Sequence, residues 1–241
     1  MTNANDLSGS SQFETNLREA VMEYSMLKHP FYVAWTEGKL SKAVLAEYAK
    51  QYYAHVKAFP TYVSGVHSHC DEISVRQQLL ENLIEEERGE ENHPELWLRF
   101  AAALGVARDE VRGAEMLSST KDSVRRMQSL TQSADYREGL AALMAYESQI
   151  PEVAQTKREG LKSFYGIEDE SAVSFFRVHE SIDLLHQQIE KEILEERCSS
   201  EADQSRAIAA AGEAAKALWS FLDGVAVEYF PAAVSTSSAT A

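Results

Sequence analysis

The chain of 241 residues is 44% hydrophobic with a formal net charge of -15, enough apolar side chain for one sizeable core and too acidic for a nucleic-acid partner. Two cysteines, Cys70 and Cys198, give no disulfide framework and suit a reducing compartment. The polar start MTNANDLSGSSQ has neither an apolar signal core nor an arginine-rich transit pattern, and no run approaches a membrane span, so a soluble cytoplasmic protein is expected.

Residues 1–11 read as a disordered lead. A helix is predicted from Glu14 to Leu27, with Leu17, Val21, Tyr24 and Met26 on its apolar stripe. His29-Pro30 breaks it, and the aromatic cluster Phe31 to Trp35 precedes a turn at Gly38. Ser41 fits the N-cap of a helix carrying Leu45, Tyr48, Tyr52 and His55, which Pro60 should kink or divide before Cys70. Leu79, Leu80, Leu83 and Ile84 mark a helix from Ile73 into Glu86, weakened at Gly89. Another runs from Pro94 to Leu104, stopped by Gly105. After a short helix and loop over 106–118, helices are predicted from Lys121 to Leu130, Tyr136 to Phe164, Glu170 to Glu196 and Ala202 to Phe230. Pro231 ends the last, and 232–241 read as a disordered tail. No strand alternation stands out, so the fold class is all-α, a single helical-bundle domain over 12–231.

The segment FRVHESIDLLHQQI, Phe176 to Ile189, holds the chemistry. Continued helix puts His179, Asp183 and His186 at i, i+4 and i+7, within a sector of roughly 60° that also carries Phe175, Phe176 and Ile182. Two imidazoles and a carboxylate on an inward face are costly unless paired, and metal ligation satisfies them. His179 and His186 lie roughly 10 Å apart along such an axis, so two adjacent ions sharing the carboxylate fit better than one. Two buried histidines bonded to carbonyls are the alternative.

Further acids and imidazoles stand on other predicted helices. Glu86 and His93 are seven apart, amid Glu85, Glu87, Glu90 and Glu91, a run that otherwise reads as solvated surface. Glu147, in LMAYESQIP, interrupts an apolar stripe and needs a cation or hydrogen-bond partner there. Lys157, by its spacing alone, is a surface lysine, and Tyr32 a core aromatic. Together Glu86, His93, Glu147, His179, Asp183 and His186 offer three carboxylates and three imidazoles, a mixture that suits iron or manganese more than structural zinc. The paired Glu-x-x-His signature of ferritin-like bundles is absent; only Asp183-x-x-His186 approximates it.

Five stretches carry a resemblance: HPFYVAW, LAEYAKQYYAHVKAFPTYVSGVHSHC, LLENLIEEERGEENHPELW, AYESQIP and the H-x-x-x-D-x-x-H segment. They resemble the family of the chlamydial protein associating with death domains, within the haem-oxygenase-like dimetal oxidases. These are similar in fold to pyrroloquinoline-quinone synthase and thiaminase II. The resemblance covers the chain from about Met26 to near Phe221. It implies an up-and-down bundle around two metal ions, iron and/or manganese, ligated by Glu86, His93, Glu147, His179, Asp183 and His186. It further implies dioxygen and an external reductant as co-reactants, and p-aminobenzoate for folate synthesis as product. In that chemistry Tyr32, expected to face the metal pair, gives the ring, Lys157 gives the amine, and Tyr48 is a further pocket tyrosine.

Two other functions stay open at this point. A death-domain-binding interaction module would not need an inward set of six metal-type ligands, and a cofactor-free oxidase of the quinone-synthase type would leave Glu86, Glu147 and Asp183 without a role. A thiaminase needs a nucleophilic cysteine, to which neither Cys70 nor Cys198 can be matched. No membrane or nucleic-acid partner is expected, and a homodimer is left open.

Overall fold

Ser11, Ser41, Asn92, Asp135, Asp169 and Ser200 each accept a backbone N–H from the first turn of a following helix, satisfying donors that a helix start leaves orphaned. They open α1 (Gln12–Met22), α3 (Lys42–His69), α5 (His93–Ala103), α8 (Tyr136–Glu147), α10 (Glu170–His179) and α12 (Glu201–Tyr229). Between them lie α2 (Pro30–Thr36), α4 (Ile73–Glu87), α6 (Arg108–Gly113), α7 (Ser118–Thr131), α9 (Ile150–Gly160) and α11 (Ile182–Arg197). The computed structural model describes residues 11–180 and 182–231, and for 182–184 the backbone alone. The tail 232–241 and the lead before Ser11 lie outside the described residues. Among the described residues there is no strand, and no helix is long and apolar enough to cross a membrane.

The helical bundle expected from the periodicity is present, but its breaks fall elsewhere. The first helix stops at Met22, short of the predicted Leu27, and a separate 3₁₀ turn covers Met26–Lys28. His29-Pro30 opens a helix as well as closing the preceding turn: His29 Nδ1 accepts the Phe31 N–H at 3.0 Å and Pro30 takes the first turn, so the aromatic cluster is α2. Pro60 does not divide α3, which runs unbroken to His69 with Phe59, Pro60, Tyr62 and Val63 all buried. Burial of that face offsets the one ladder bond Pro60 cannot give. The predicted Tyr136–Phe164 helix is split at Ser148-Gln149, ahead of Pro151, and ends in a π-helical turn, Leu161–Tyr165. The predicted Glu170–Glu196 helix is likewise two, since α10 ends at His179 and α11 starts at Ile182.

α12 is the spine. Its alanines 207, 210, 211, 214 and 215 are buried against α8, α7 and α1, where short side chains let backbones approach closely. Ser123 Oγ ties α7 to it by donating to the Ala217 carbonyl at 2.7 Å. α3 packs on α4, α5 and α7, and α10 packs on α5 and α9. Tyr48, Tyr52, Trp97, Phe175 and Phe221 fill the space these helices enclose. Around that space every site residue discussed below is arranged.

Two contacts set α9 against α2. Gly160 lies on Trp35, where a Cβ would stand 2.8 Å from Trp35 Cδ1, and Gly38, in the left-handed region, lies under the Phe164 ring. Gly160→Ala should therefore lower the urea midpoint, costing about 1–3 kcal/mol by overpacking. Gly113→Ala, whose Cβ would meet nothing within 4 Å, is the control and should be neutral or mildly stabilising. Equal behaviour of the two variants would show that α9 has slack against α2.

Candidate metal centre

The chain breaks assemble the acids and imidazoles. α4 ends at Glu87, Gly89 turns the backbone at φ +80°, and α5 opens on His93. Glu86 and His93, which continued helix would have stacked, instead meet across this reversal with His93 Nδ1 2.8 Å from Glu86 Oε2. That approach lacks hydrogen-bond alignment, because His93 Nδ1 has no hydrogen-bond partner. His179, last residue of α10, completes a buried trio: one ligating atom from each of Glu86, His93 and His179 lies within 4.8 Å of the others. His179 Nδ1 donates to the Phe175 carbonyl at 2.7 Å. A carbonyl only accepts, so Nε2 is the nitrogen left to ligate.

Glu147, last residue of α8, borders the same cavity as the trio, together with Tyr52, Tyr146 and Phe175. That cavity has a volume of about 20 Å³, room for roughly one water-sized species. Asn82 Nδ2 donates to Glu147 Oε1 at 2.8 Å, while Glu147 Oε2 is buried without a partner. His186 stands on the other side of Glu147, its Nδ1 3.7 Å from Glu147 Oε1 and its Nε2 2.9 Å from Glu85 Oε2. Asp183 lies among the residues whose side chains are not described. The H-x-x-x-D-x-x-H segment is thus not one continuous helix, yet His179 and His186 both reach the acid-bearing helices.

Burial dominates the electrostatics. It pushes the Glu86 carboxyl up, with His93 opposing and Glu147 adding to the rise. It pushes the His179 imidazole well down, with His93 adding to the fall. For His186 desolvation also favours the neutral ring, but Glu147, Glu85 and Glu86 outweigh it and hold the value up. A buried set of carboxylates, convergent nitrogens and orphaned oxygens is what a divalent cation satisfies. The donors fit iron or manganese, and the described trio can hold one ion by itself.

Lys157 is not the surface residue its spacing suggests. It is 4% exposed, its Nζ donates to the Tyr48 hydroxyl at 2.7 Å, and it lies 4.7, 5.0 and 4.8 Å from the ring centres of Tyr32, Tyr48 and Tyr52. The Tyr32 and Tyr48 hydroxyls share a hydrogen bond of 2.8 Å. Tyr32, 2% exposed, does not border the metal cavity as expected: α2 sets its ring against Trp35 and Tyr48. Tyr52 spans the interval, bordering the cavity with one part and facing the Lys157 amine with another, and its hydroxyl bonds to that of Tyr146 at 2.8 Å. Burial drives Lys157 well below its ordinary value and drives Tyr32 and Tyr48 well above theirs.

Three contributors escaped the sequence reading. Asn82 holds Glu147, Glu85 meets His186, and Glu190, 4% exposed, borders a small cavity with Asn82 and His186. Asn82 stands one helical turn before Glu86, and Glu190 one turn after His186, a spacing that could have marked both.

The model of a family described as iron-containing redox enzymes matches residues 46–219. A protein of Nitrosomonas europaea named 4-aminobenzoate synthase is 40% identical over 229 residues, covering 91% of this chain and 93% of that one. Its namesake in Chlamydia trachomatis is 40% identical over 198 residues, covering 82% and 85%. Among solved structures, a TenA homologue from Pseudomonas syringae superposes with a TM-score of 0.78 at 17% identity, covering 93% of this chain and 97% of that one. A CADD-like protein from Nostoc punctiforme gives 0.69 at 17%, covering 91% and 99%.

The buried amine makes a pH prediction. In the unfolded chain Lys157 titrates at its ordinary 10.5, whereas in the fold its value lies well below. Between the two the unfolded state binds more protons, so stability rises with pH across that window. Lys157→Met removes the contribution, which at its steepest is about 1.4 kcal/mol per pH unit. Urea unfolding of both proteins from pH 6 upward should show the variant more stable at the low end and the difference shrinking toward alkaline pH. Parallel profiles would place the amine in water.

Proposed function

This chain belongs to the haem-oxygenase-like family of iron-containing redox enzymes, and on that premise we propose that it makes 4-aminobenzoate in a dioxygen-dependent reaction, from its own Tyr32. Two metal ions, iron and/or manganese, would be held by Glu86, His93, Glu147, His179, Asp183 and His186. The likeness to the 4-aminobenzoate synthases, 40% over most of both chains, supports the reaction class. The observation that carries the finer reading is the Lys157 amine, buried at 2.7 Å from the Tyr48 hydroxyl and 4.7 Å from the Tyr32 ring centre.

When bound, the ions supply dioxygen activation, with electrons from an external reductant. The chain's own residues supply the rest. The ring and Cβ of Tyr32 together have the seven carbons of 4-aminobenzoate, and its phenol oxygen stands where the amine must arrive. Desolvation keeps Lys157 from holding its charge, leaving a nitrogen lone pair for a new bond to the ring carbon that gives up the phenol oxygen as water. The Cε–Nζ bond of Lys157 and the Cα–Cβ bond of Tyr32 break, and Cβ is oxidised to the carboxyl carbon with dioxygen as the oxidant. Tyr48 links amine and phenol through its hydroxyl, which accepts from Lys157 Nζ and shares a hydrogen bond with Tyr32, and so holds the two groups side by side. Trp35 and the surrounding rings keep water from the amine. Each chain is consumed in a single turnover.

Protein loaded anaerobically should take up two ions per chain. With air and reductant it should release 4-aminobenzoate, with mass losses confined to the peptides containing Tyr32 and Lys157. Tyr32→Phe should load metal and make no product, at a cost of about 1 kcal/mol for the lost hydroxyl bond. Lys157→Arg should likewise load metal without product. Product accumulating over many turnovers with the Tyr32 peptide intact would mean that the ring comes from an external substrate.

A further inference from the structure

Glu86 and Glu147 border the metal cavity from different helices, α4 and α8. One hydrogen bond ties the second carboxylate to the helix of the first. Asn82 stands one turn before Glu86 on the same face of α4, and its Nδ2 donates to Glu147 Oε1 at 2.8 Å. Both side chains are buried, Asn82 at 4% and Glu147 at 2% exposed. The amide nitrogen must face Glu147, since the amide oxygen there would meet a second acceptor. Asn82 Oδ1 is left buried without a partner. Packing does not account for an amide at this place, because a side chain that only fills space costs less when it has no polar atom to leave unpaired. On Glu147 the two oxygens are unequal: Oε1 is engaged by Asn82, and Oε2 is buried with no partner. Without Asn82 the carboxylate could turn about its side-chain torsions and present either oxygen, or neither, to the cavity.

We propose that Asn82 is a positioning residue for the metal centre: by holding Oε1 it orients Glu147 so that Oε2 is the oxygen given to an ion. The proposal rests on the reading of Glu147 as a ligand. It gives α4 two parts in the site, bearing Glu86 and holding Glu147 across the bundle. The placing of one carboxylate relative to the other then follows from α4 itself. Outer partners of this kind typically contribute about 10–100-fold to metal affinity without touching the ion.

The test is a double-mutant cycle on the full-length protein, read by anaerobic Mn(II) titration. Asn82→Leu, close in volume and unable to donate, should bind at least one ion about 10–100-fold more weakly than wild type, with helical content unchanged by circular dichroism. Asn82→Ala should show the same loss, and it carries the cycle if the leucine variant does not fold. Glu147→Ala should also bind more weakly. Adding either Asn82 substitution to Glu147→Ala should then cost no further affinity, because no carboxylate is left to orient. A purely structural role would instead give the same loss with and without Glu147. That result, or wild-type affinity in the folded Asn82 variants, would overturn the proposal. Wild-type affinity in Glu147→Ala would show that Glu147 is no ligand, so the failure of that reading is seen apart from the failure of the Asn82 hold.

Discussion

Ionisable side chains enclosed in a dry core must be paired or neutralised, and the centre of this molecule is organised by that requirement. Glu86, His93 and His179 bring ligating atoms within 4.8 Å of one another where none is open to solvent. Some of the partners these groups reach lie on their own helix and others across the bundle. The Phe175 carbonyl orients His179, Asn82 of α4 holds Glu147 of α8, and Glu85 of α4 meets His186 of α11. The bundle topology that sets α4, α5, α8 and α10 side by side is therefore also what balances the charges.

A second enclosed group, the Lys157 amine, is neutralised differently. Its surroundings are aromatic faces and one hydroxyl, with no carboxylate among its described contacts, so burial acts on it unopposed. The close approach of Gly160 to Trp35 brings α9 near enough to α2 for the amine to reach between Tyr32 and Tyr48. Tyr52 belongs to both regions, and through it the metal cavity and the amine pocket share a wall.

Much of this was legible in the sequence, because apolar stripes at helical spacing survive whatever the loops do. The all-helical class and the inward placing of Glu86, His93, Glu147, His179 and His186 follow from them. Periodicity is blind to short interruptions, so the breaks at Ser148-Gln149 and after His179 went unseen inside continuous patterns. The two-residue frame of His29-Pro30 suits both the end of one helix and the beginning of the next, and here it does both. Asn82 and Glu147 are 65 residues apart, and nothing local to either reveals the pairing. Lys157 looked like surface because the face it occupies is covered by α2 and α3, whose positions no stretch near Lys157 encodes. The motif likeness, not the spacing, singled out Tyr32 and Lys157.

The site residues share a position that the residue types alone do not disclose. Glu86 is in the last turn of α4, and Glu147 and His179 are the final residues of α8 and α10. Aligned peptide dipoles leave the carboxyl end of a helix with roughly half a negative charge. Three such ends meet around one cavity, but α5 and α9 bring their opposite, amino ends to it through His93 and Ile150, their first residues, so the backbone fields offset one another there. The pull on a cation at this spot therefore comes from the side chains, and substituting one acid would remove a share that the backbone does not replace.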